Sequence, residues 1–169
     1  MNSAHSSRQF LEQLQLAISR VQCDSPAYFD LTSTGRIFLC GNGGSSAVAS
    51  HIANDLVKQG KSAFSLTDPS IMSCLANDEG WERVFADQIQ IHAKPHDTVV
   101  VISSSGKSLN VLQAAYAARE RGAQVVTLTG FDALNPLRQL GEHNYYVPSF
   151  NYGIVETTHL AILHSIAKP

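Results

Sequence analysis

The stretch DTVVVISSSGKSLNVLQAA, residues 97–115, joins a continuous apolar run to a loop of serines and then to a helical pattern. Residues 97–102 have the unbroken apolar character of a strand that is buried on both faces of a sheet. The helical pattern continues over 108–121 and ends at Gly122, a residue that favours helix termination. A buried strand followed by a polar loop and a helix is typical of a parallel α/β sheet.

The same alternation recurs on both sides of this stretch. Further strands are predicted at 36–40, 63–66, 124–129 and 144–147, and further helices at 45–59, 70–75, 83–93, 134–140 and 156–167. This order predicts a doubly wound parallel sheet in an αβα sandwich, with ligands at the carboxyl ends of the strands. We expect one domain over 1–169. Before its first strand, an amphipathic helix is predicted over 7–21, after which 24–26 ends it or begins a second short helix.

The composition limits the classes of function. The chain has 169 residues, 44% of them hydrophobic, and a formal net charge of −2. A net charge so close to zero creates no positive electrostatic field that would attract nucleic acid, and it argues against a polybasic patch for membrane binding. Three cysteines without CxxC spacing indicate reduced thiols rather than a disulfide framework. Because the sequence also lacks a signal-peptide pattern and a run of 18 apolar residues, we expect a cytoplasmic protein.

Two polar loops follow predicted strands. The first, CGNGGSSA at 40–47, contains glycines that allow close backbone approach to a ligand, and amides at a helix start that attract anions. It fits a dinucleotide fingerprint poorly, because Ser46 stands at the third glycine position, and a turn without a ligand is the other alternative. The second loop, SSSGKS at 103–108, offers four serine hydroxyls to a phosphate but lacks the first glycine of a P-loop. Its serines could also serve only to cap a helix.

Two helices carry residues suited to a metal ion. His51 and Asp55 are four residues apart, so they share one face of their helix. The final helix carries Glu156 and His164, which are two turns apart. Each pair has an ordinary alternative, a solvated ion pair or a core histidine. If the two helices converge, two imidazoles and two carboxylates would suit Zn²⁺.

These stretches together resemble the sugar isomerase (SIS) domain family, in its phosphoheptose isomerase branch. The matching segments span 37–164 and read CGNGGS, HIANDL, CLANDEG, VVVISSSGKSLNVLQAA, VTLTG and IVETTHLAILH. The resemblance implies an αβα sandwich with an N-terminal helical extension, here 1–34, that packs in a homotetramer. It also implies the conversion of sedoheptulose 7-phosphate to D-glycero-D-manno-heptose 7-phosphate through an enediol.

The resemblance assigns roles to individual residues. Asp55 and His164 match the proposed base and acid, and they complete a Zn²⁺ site, one per subunit, with His51 and Glu156. The implied contacts to the phosphosugar are Asn42, Gly43, Gly44, Ser45, Asp55, Asn77, Asp78, Ser103, Ser104, Ser105, Ser108 and Glu156.

The chain departs from the family pattern at two of these positions. The family usually has Glu where Asp55 stands and Gln where Glu156 stands, and the Asp-Arg that precedes the Gln is absent here. The extra carboxylate favours a bound cation, because two unpaired carboxylates in one pocket repel each other. These differences leave the choice of phosphosugar open. A non-catalytic phosphosugar-binding or partner-binding protein on the same scaffold, or an isomerase of another phosphosugar, is the alternative function.

Overall fold

A computed structural model describes residues 3–25, 29–31 and 35–167. Within these ranges, the helices are α1 (Ser3–Ser19), α2 (Gly44–Lys58), α3 (Pro69–Asp78), α4 (Ala86–His92), α5 (Leu109–Glu120) and α6 (Tyr152–Ile166). The strands are β1 (Gln22–Asp24), β2 (Ile37–Gly41), β3 (Ala63–Ser65), β4 (Thr98–Ser103), β5 (Gln124–Thr129) and β6 (His143–Tyr146). Short 3₁₀ turns occupy Trp81–Arg83 and Leu137–Gln139, the second in place of the helix predicted at 134–140.

The strands form one sheet in the order β1-β6-β5-β4-β2-β3. All neighbours are parallel except β1, which runs antiparallel to β6 at the sheet edge. The doubly wound αβα sandwich predicted from the sequence is therefore confirmed. The strand β1 was not predicted: 22–24 pairs with β6, although the sequence suggested the end of one helix or the start of another.

Strand β4 explains why both faces of the sheet are covered. All six of its residues are buried, and successive side chains point to opposite faces. Val100 and Ile102 pack in a core with α2 and α6, whereas Val99 and Val101 pack in a second core with α4 and α5. The uninterrupted apolar run is thus the sequence form of a strand enclosed between two helical layers.

The winding direction places two loops side by side. Strand β2 pairs with both β3 and β4, and Gly41 lies opposite Ile102. The chain leaves β2 through α2 toward β3, but it leaves β4 through α5 toward β5. The carboxyl ends of β2 and β4 therefore flank the topological switch point, where doubly wound sheets bind their ligands.

Helix α1 packs against the α6 side of the sandwich. Ala17 is buried in that core and Leu14 packs against it, while Leu11, Leu16 and Ile18 are exposed. The amphipathic pattern together with the family resemblance predicts that Phe10, Leu14, Ala17 and Ile18 are buried between subunits. In the structure Leu14 and Ala17 are covered by their own domain, whereas Phe10 and Ile18 are exposed. None of the helices in the described ranges combines the length and apolarity needed to cross a membrane.

Candidate functional site

The glycine loop between β2 and α2 requires its glycines for different reasons. A Cβ on Gly41 would lie 2.8 Å from the Ile102 carbonyl oxygen and 2.8 Å from the Ser45 Cβ. Gly43 has φ of 55°, in the left-handed region that glycine adopts without strain. The loop therefore passes close to the end of β4 and then turns sharply into α2.

A pair of amides fastens this loop to the neighbouring one. The Asn42 Nδ2 donates to Asn110 Oδ1, and the Asn110 Nδ2 donates to Asn42 Oδ1, both at 2.9 Å. Asn110 is only 2% exposed and belongs to α5. Sequence reasoning did not single it out, because one asparagine near the start of a helix carries no distinctive pattern.

The serine loop between β4 and α5 is partly buried. Ser103 and Ser104 are 5% and 4% exposed. The Ser103 hydroxyl donates to Ser108 Oγ at 3.2 Å, and the Lys107 backbone N–H donates to Ser105 Oγ at 3.2 Å. The Ser104 Oγ is buried without a hydrogen-bond partner among the described residues. A buried hydroxyl without a partner is rare in a folded protein, so this loop retains polar capacity for a ligand.

The two loops enclose a cavity of about 230 Å³. The glycine loop lines it with Asn42, Gly43, Gly44 and Ser45, and the serine loop lines it with Ser103, Ser104, Ser105 and Ser108. From α6, Glu156 and Tyr152 complete the wall. The Glu156 carboxylate lies so close to Gly44 that a Cβ there would overlap it. All eight predicted residues of the two loops are therefore brought together, with Glu156 beside them.

A larger groove of about 750 Å³ lies at the opposite end of the strands, where Gly35, Gly122 and Glu142 line it. We assign the functional role to the smaller cavity, because it lies at the switch point and is surrounded by hydroxyls and helix-start amides. The groove also has polar side chains in its lining, among them His96, Arg119 and Gln124, but it lies away from the strand ends where doubly wound sheets bind their ligands.

The predicted histidine and aspartate residues meet at the surface between α2 and α6. The Asp55 Oδ2 lies 3.4 Å from His51 Nε2 and 3.7 Å from His164 Nδ1. The two imidazole rings meet edge to face, with centroids 5.3 Å apart. One ligand atom from each of the three residues lies within 4.8 Å of the other two. Two imidazoles and a carboxylate are a donor set that Zn²⁺ accepts with a fourth position open for water or substrate.

One predicted metal ligand and two predicted substrate contacts lie outside the groups that they were expected to join. Glu156 is not part of the three-residue group, since eight residues of helix separate it from His164 by about 12 Å along the axis. Asn77 and Asp78 are exposed at the end of α3 and do not line the cavity. Their side chains bond to each other at 2.8 Å. Hydrogen bonds from Asn77 and Cys74 lower the pKa of the Asp78 carboxyl.

Comparison with known proteins identifies the fold family. The model of the SIS domain family matches residues 6–130. The chain belongs to the SIS domain family. This confirms the resemblance inferred from the sequence. The phosphoheptose isomerase of Cytophaga hutchinsonii is 35% identical over 164 residues, which cover 93% of this SIS domain and 85% of that protein.

Two solved structures extend the comparison. The phosphoheptose isomerase from Neisseria gonorrhoeae superposes with a TM-score of 0.75 at 33% identity, covering 80% of this chain and 78% of that one. The phosphoheptose isomerase from Francisella tularensis gives a TM-score of 0.83 at 24% identity, covering 98% and 96%. The second comparison bears on the fold alone. The relatives place this SIS domain beside the phosphoheptose isomerases.

Proposed function

We propose that this SIS domain is an aldose–ketose isomerase that converts sedoheptulose 7-phosphate to D-glycero-D-manno-heptose 7-phosphate. The observation that carries the proposal is the position of the Asp55 carboxylate between the imidazoles of His51 and His164, on helices that begin at or beside the serine-lined cavity. Relatives named phosphoheptose isomerase at 35–38% identity support the same substrate class.

The serine loop is the proposed phosphate site. Its hydroxyls lie at the start of α5, where free backbone amides also attract anions. Ser104 Oγ has no partner among the described residues, and it lines the cavity. The only cation within the loop, Lys107, pairs with Asp132 at 3.6 Å on the exposed side. Neutral hydroxyls and amides therefore supply most of the phosphate contacts.

The distance between the cavity and the histidine–aspartate group favours a long substrate. Along α2, the rise from Gly44 is about 10 Å to His51 and about 16 Å to Asp55, at about 1.5 Å per residue, and the Asp55 carboxylate lies beside the His51 ring. A sugar phosphate held by its phosphate at the serine loop must extend to reach Asp55. An open-chain heptose fits this separation better than a triose does.

The reaction moves one proton between neighbouring carbons. In our proposal, the Asp55 carboxylate removes a proton from C1 of the ketose while His164 gives a proton to the C2 oxygen, forming the enediol. His164 then takes back the proton of the C1 hydroxyl while Asp55 returns its proton to C2, which gives the aldose and restores both side chains. Glu156 lines the cavity and accepts hydrogen bonds from substrate hydroxyls.

A divalent ion fits the same residues. We propose that His51, Asp55 and His164 hold one Zn²⁺ per subunit, which when bound would polarise the substrate carbonyl as a Lewis acid. The structure does not bring Glu156, the fourth ligand implied by the sequence, into this group. Metal content measured on the His51→Ala and Glu156→Ala variants separates a three-residue site from a four-residue site.

The remaining expectations concern assembly and location. We propose a single SIS domain over 1–169 that forms a cytoplasmic homotetramer through the segment 1–34. The exposed Leu11, Leu16 and Ile18 on α1 support an interface there. Light scattering at micromolar concentration tests this, and a monomeric mass would contradict it.

The experiment that tests the function is an assay of the purified protein on a panel of ketose phosphates, with metal content measured on the same sample. We expect the highest kcat/KM on sedoheptulose 7-phosphate. Binding of phosphosugars without turnover of any of them would overturn the proposal in favour of a non-catalytic SIS protein.

A further inference from the structure

Three aromatic side chains stand together beside the cavity, on the side of β5. The rings of Phe131 and Tyr152 meet edge to face with centroids 4.8 Å apart, and those of Phe131 and Phe150 stack at 5.5 Å. Only Tyr152 of these three lines the cavity. It lies one turn before Glu156 on α6, so both side chains share the cavity-facing side of the helix.

The central ring of this group has an unusual backbone. Phe131 has φ of 58°, which a bulky residue adopts only when its surroundings impose it. Two hydrogen bonds impose it here: the Phe131 N–H donates to the Ser149 carbonyl oxygen at 3.0 Å, and the Tyr146 hydroxyl donates to the Phe131 carbonyl oxygen at 2.8 Å. The preceding residue is also fixed, because the Gly130 N–H donates to the Ser104 carbonyl oxygen at 2.9 Å. The aromatic group is therefore tied directly to the serine loop.

The exposure of the rings is not explained by packing within the chain. Phe150 and Tyr152 are 75% and 60% exposed, and no described residue hydrogen-bonds to the Tyr152 hydroxyl. Backbone strain such as that of Phe131 is concentrated at sites where a side chain is held for a ligand. Among the described residues that line the cavity, Tyr152 is the only one with an aromatic ring.

We propose that Tyr152 is a specificity-determining residue that packs its ring against the carbon chain of the phosphosugar, and that Phe131 positions it. The inference rests on the proposed function, since it takes the serine loop as the phosphate site. A ligand held there would be bordered by the glycine loop on the β2 side and by Tyr152 on the β5 side. The ring contacts C–H groups of the sugar and makes no contribution to the phosphate itself.

Comparison of two ligands tests this directly. Dissociation constants for sedoheptulose 7-phosphate and for inorganic phosphate are measured by calorimetry in an Asp55→Asn background, which keeps the sugar intact. We expect Tyr152→Ala to weaken sugar phosphate binding by about 3- to 10-fold, the range of an aromatic contact, and to leave inorganic phosphate within about twofold. Tyr152→Phe should retain the sugar affinity, because the ring remains. Tyr116→Ala, at an exposed tyrosine of α5, is the matched control and should change neither constant.

A second variant separates positioning from fold. Phe131→Gly removes the ring but suits φ of 58°. It should therefore weaken sugar phosphate binding while the phosphate affinity and the far-ultraviolet circular dichroism spectrum of the domain are kept. Equal affinity of Tyr152→Ala and the background protein for the sugar phosphate would overturn the inference, as would an equal loss for both ligands. Failure of the proposed function has a different signature: wild-type protein that turns over no ketose phosphate, while the Tyr152 effect on binding persists. Absence of binding by either ligand would overturn both.

Discussion

Helices α2 and α6 contribute residues both to the cavity and to the His51–Asp55–His164 group, but the two regions are stabilised by different kinds of contact. Close backbone packing and one pair of side-chain amides build the cavity: Gly41 has no room for a Cβ, and two reciprocal hydrogen bonds between Asn42 and Asn110 join its loops. The second region consists of side chains on helix surfaces, and those of His51 and His164 are about half exposed. Substitutions in the cavity should therefore change folding and binding together, whereas substitutions in the group should change chemistry alone.

The largest effect is expected in the group. Asp55→Asn should reduce kcat by at least about 100-fold, the usual contribution of a positioned base, because an amide cannot accept the proton. The midpoint of thermal unfolding should change little, since this carboxylate is partly exposed at the surface. Asp68→Asn is the matched control: Asp68 caps α3 through its side chain, and asparagine caps as well as aspartate. Near-normal turnover by Asp55→Asn would show that the base is misassigned.

The buried His159 lies on α6 between Glu156 of the cavity and His164 of the proposed metal site. The pH dependence of stability tests whether this side chain stays enclosed in the folded protein. Its Nε2 N–H donates to the Thr129 carbonyl oxygen at 3.1 Å. Burial lowers the pKa of the His159 imidazole from 6.5 to about 4, against the opposing effect of that hydrogen bond. The unfolded chain therefore binds the proton more readily, and stability is complete above pH 6.5 and falls as the pH drops toward 4.

The expected loss is about 3 kcal/mol across this interval, at about 1.4 kcal/mol per pKa unit. Denaturant unfolding at pH 7.0, 5.5 and 4.0 measures it in the wild type and in His159→Gln, which has no titrating group at this position. The difference in unfolding free energy between the two proteins should shrink as the pH falls. A difference that is independent of pH would contradict this account of His159.

The backbone-built cavity should respond to the smallest possible side chain. Gly41→Ala should lower the unfolding free energy by about 1–3 kcal/mol, the cost of overpacking, because Ile102 is part of the buried strand and cannot move freely. Gly153→Ala on α6 is the control. A Cβ there makes only ordinary contacts, and alanine is favoured over glycine in a helix by up to about 1 kcal/mol. Equal stability changes for the two variants would remove the distinction between the regions.

The smallest expected effect concerns a single hydroxyl of the cavity. Ser105→Ala should weaken binding of sedoheptulose 7-phosphate and of inorganic phosphate by about 1–2 kcal/mol, the value of one hydrogen bond to a charged group. Ser73→Ala on the exposed face of α3 serves as control and should leave both affinities unchanged. If the affinity of Ser105→Ala for both ligands is that of the wild type, the serine loop is not the phosphate site.

Sequence patterns predicted the parts of the site that depend on local structure. The glycine and serine loops each follow an apolar strand, and parallel strands bring their carboxyl ends to one edge, so the convergence of 42–45 with 103–108 follows from the fold class. The pairing of His51 with Asp55 follows from four-residue spacing on one helix. His164 was a candidate ligand only if its helix converged with α2, and the resemblance to the SIS domain family favoured that arrangement. The structure and the comparisons bear out this resemblance at the level of fold and family.

The features that the sequence did not predict depend on contacts between residues that are far apart in the chain. Glu156 and His164 are on one helix, but about 12 Å of rise separates them, so a shared ligand cannot be read from composition. Asn77 and Asp78 match a family motif, yet α3 extends through Asp78 and carries both away from the cavity. Asn110 and Tyr152 went unnoticed because their importance lies in partners 68 and 21 positions away. The strand β1 depends on pairing with β6, which three residues alone do not indicate.

The most direct test of the central claim is the isomerisation of sedoheptulose 7-phosphate in deuterated water, followed by NMR. If Asp55 moves a proton through an enediol, its carboxyl, which is 29% exposed, can exchange that proton with solvent before returning it. The wild type should then form the aldose heptose 7-phosphate with deuterium in part of the C2 positions, and Asp55→Asn should form no aldose. Unchanged ketose after incubation with the wild type, without deuterium at C1, would contradict the assignment of this SIS domain as an isomerase.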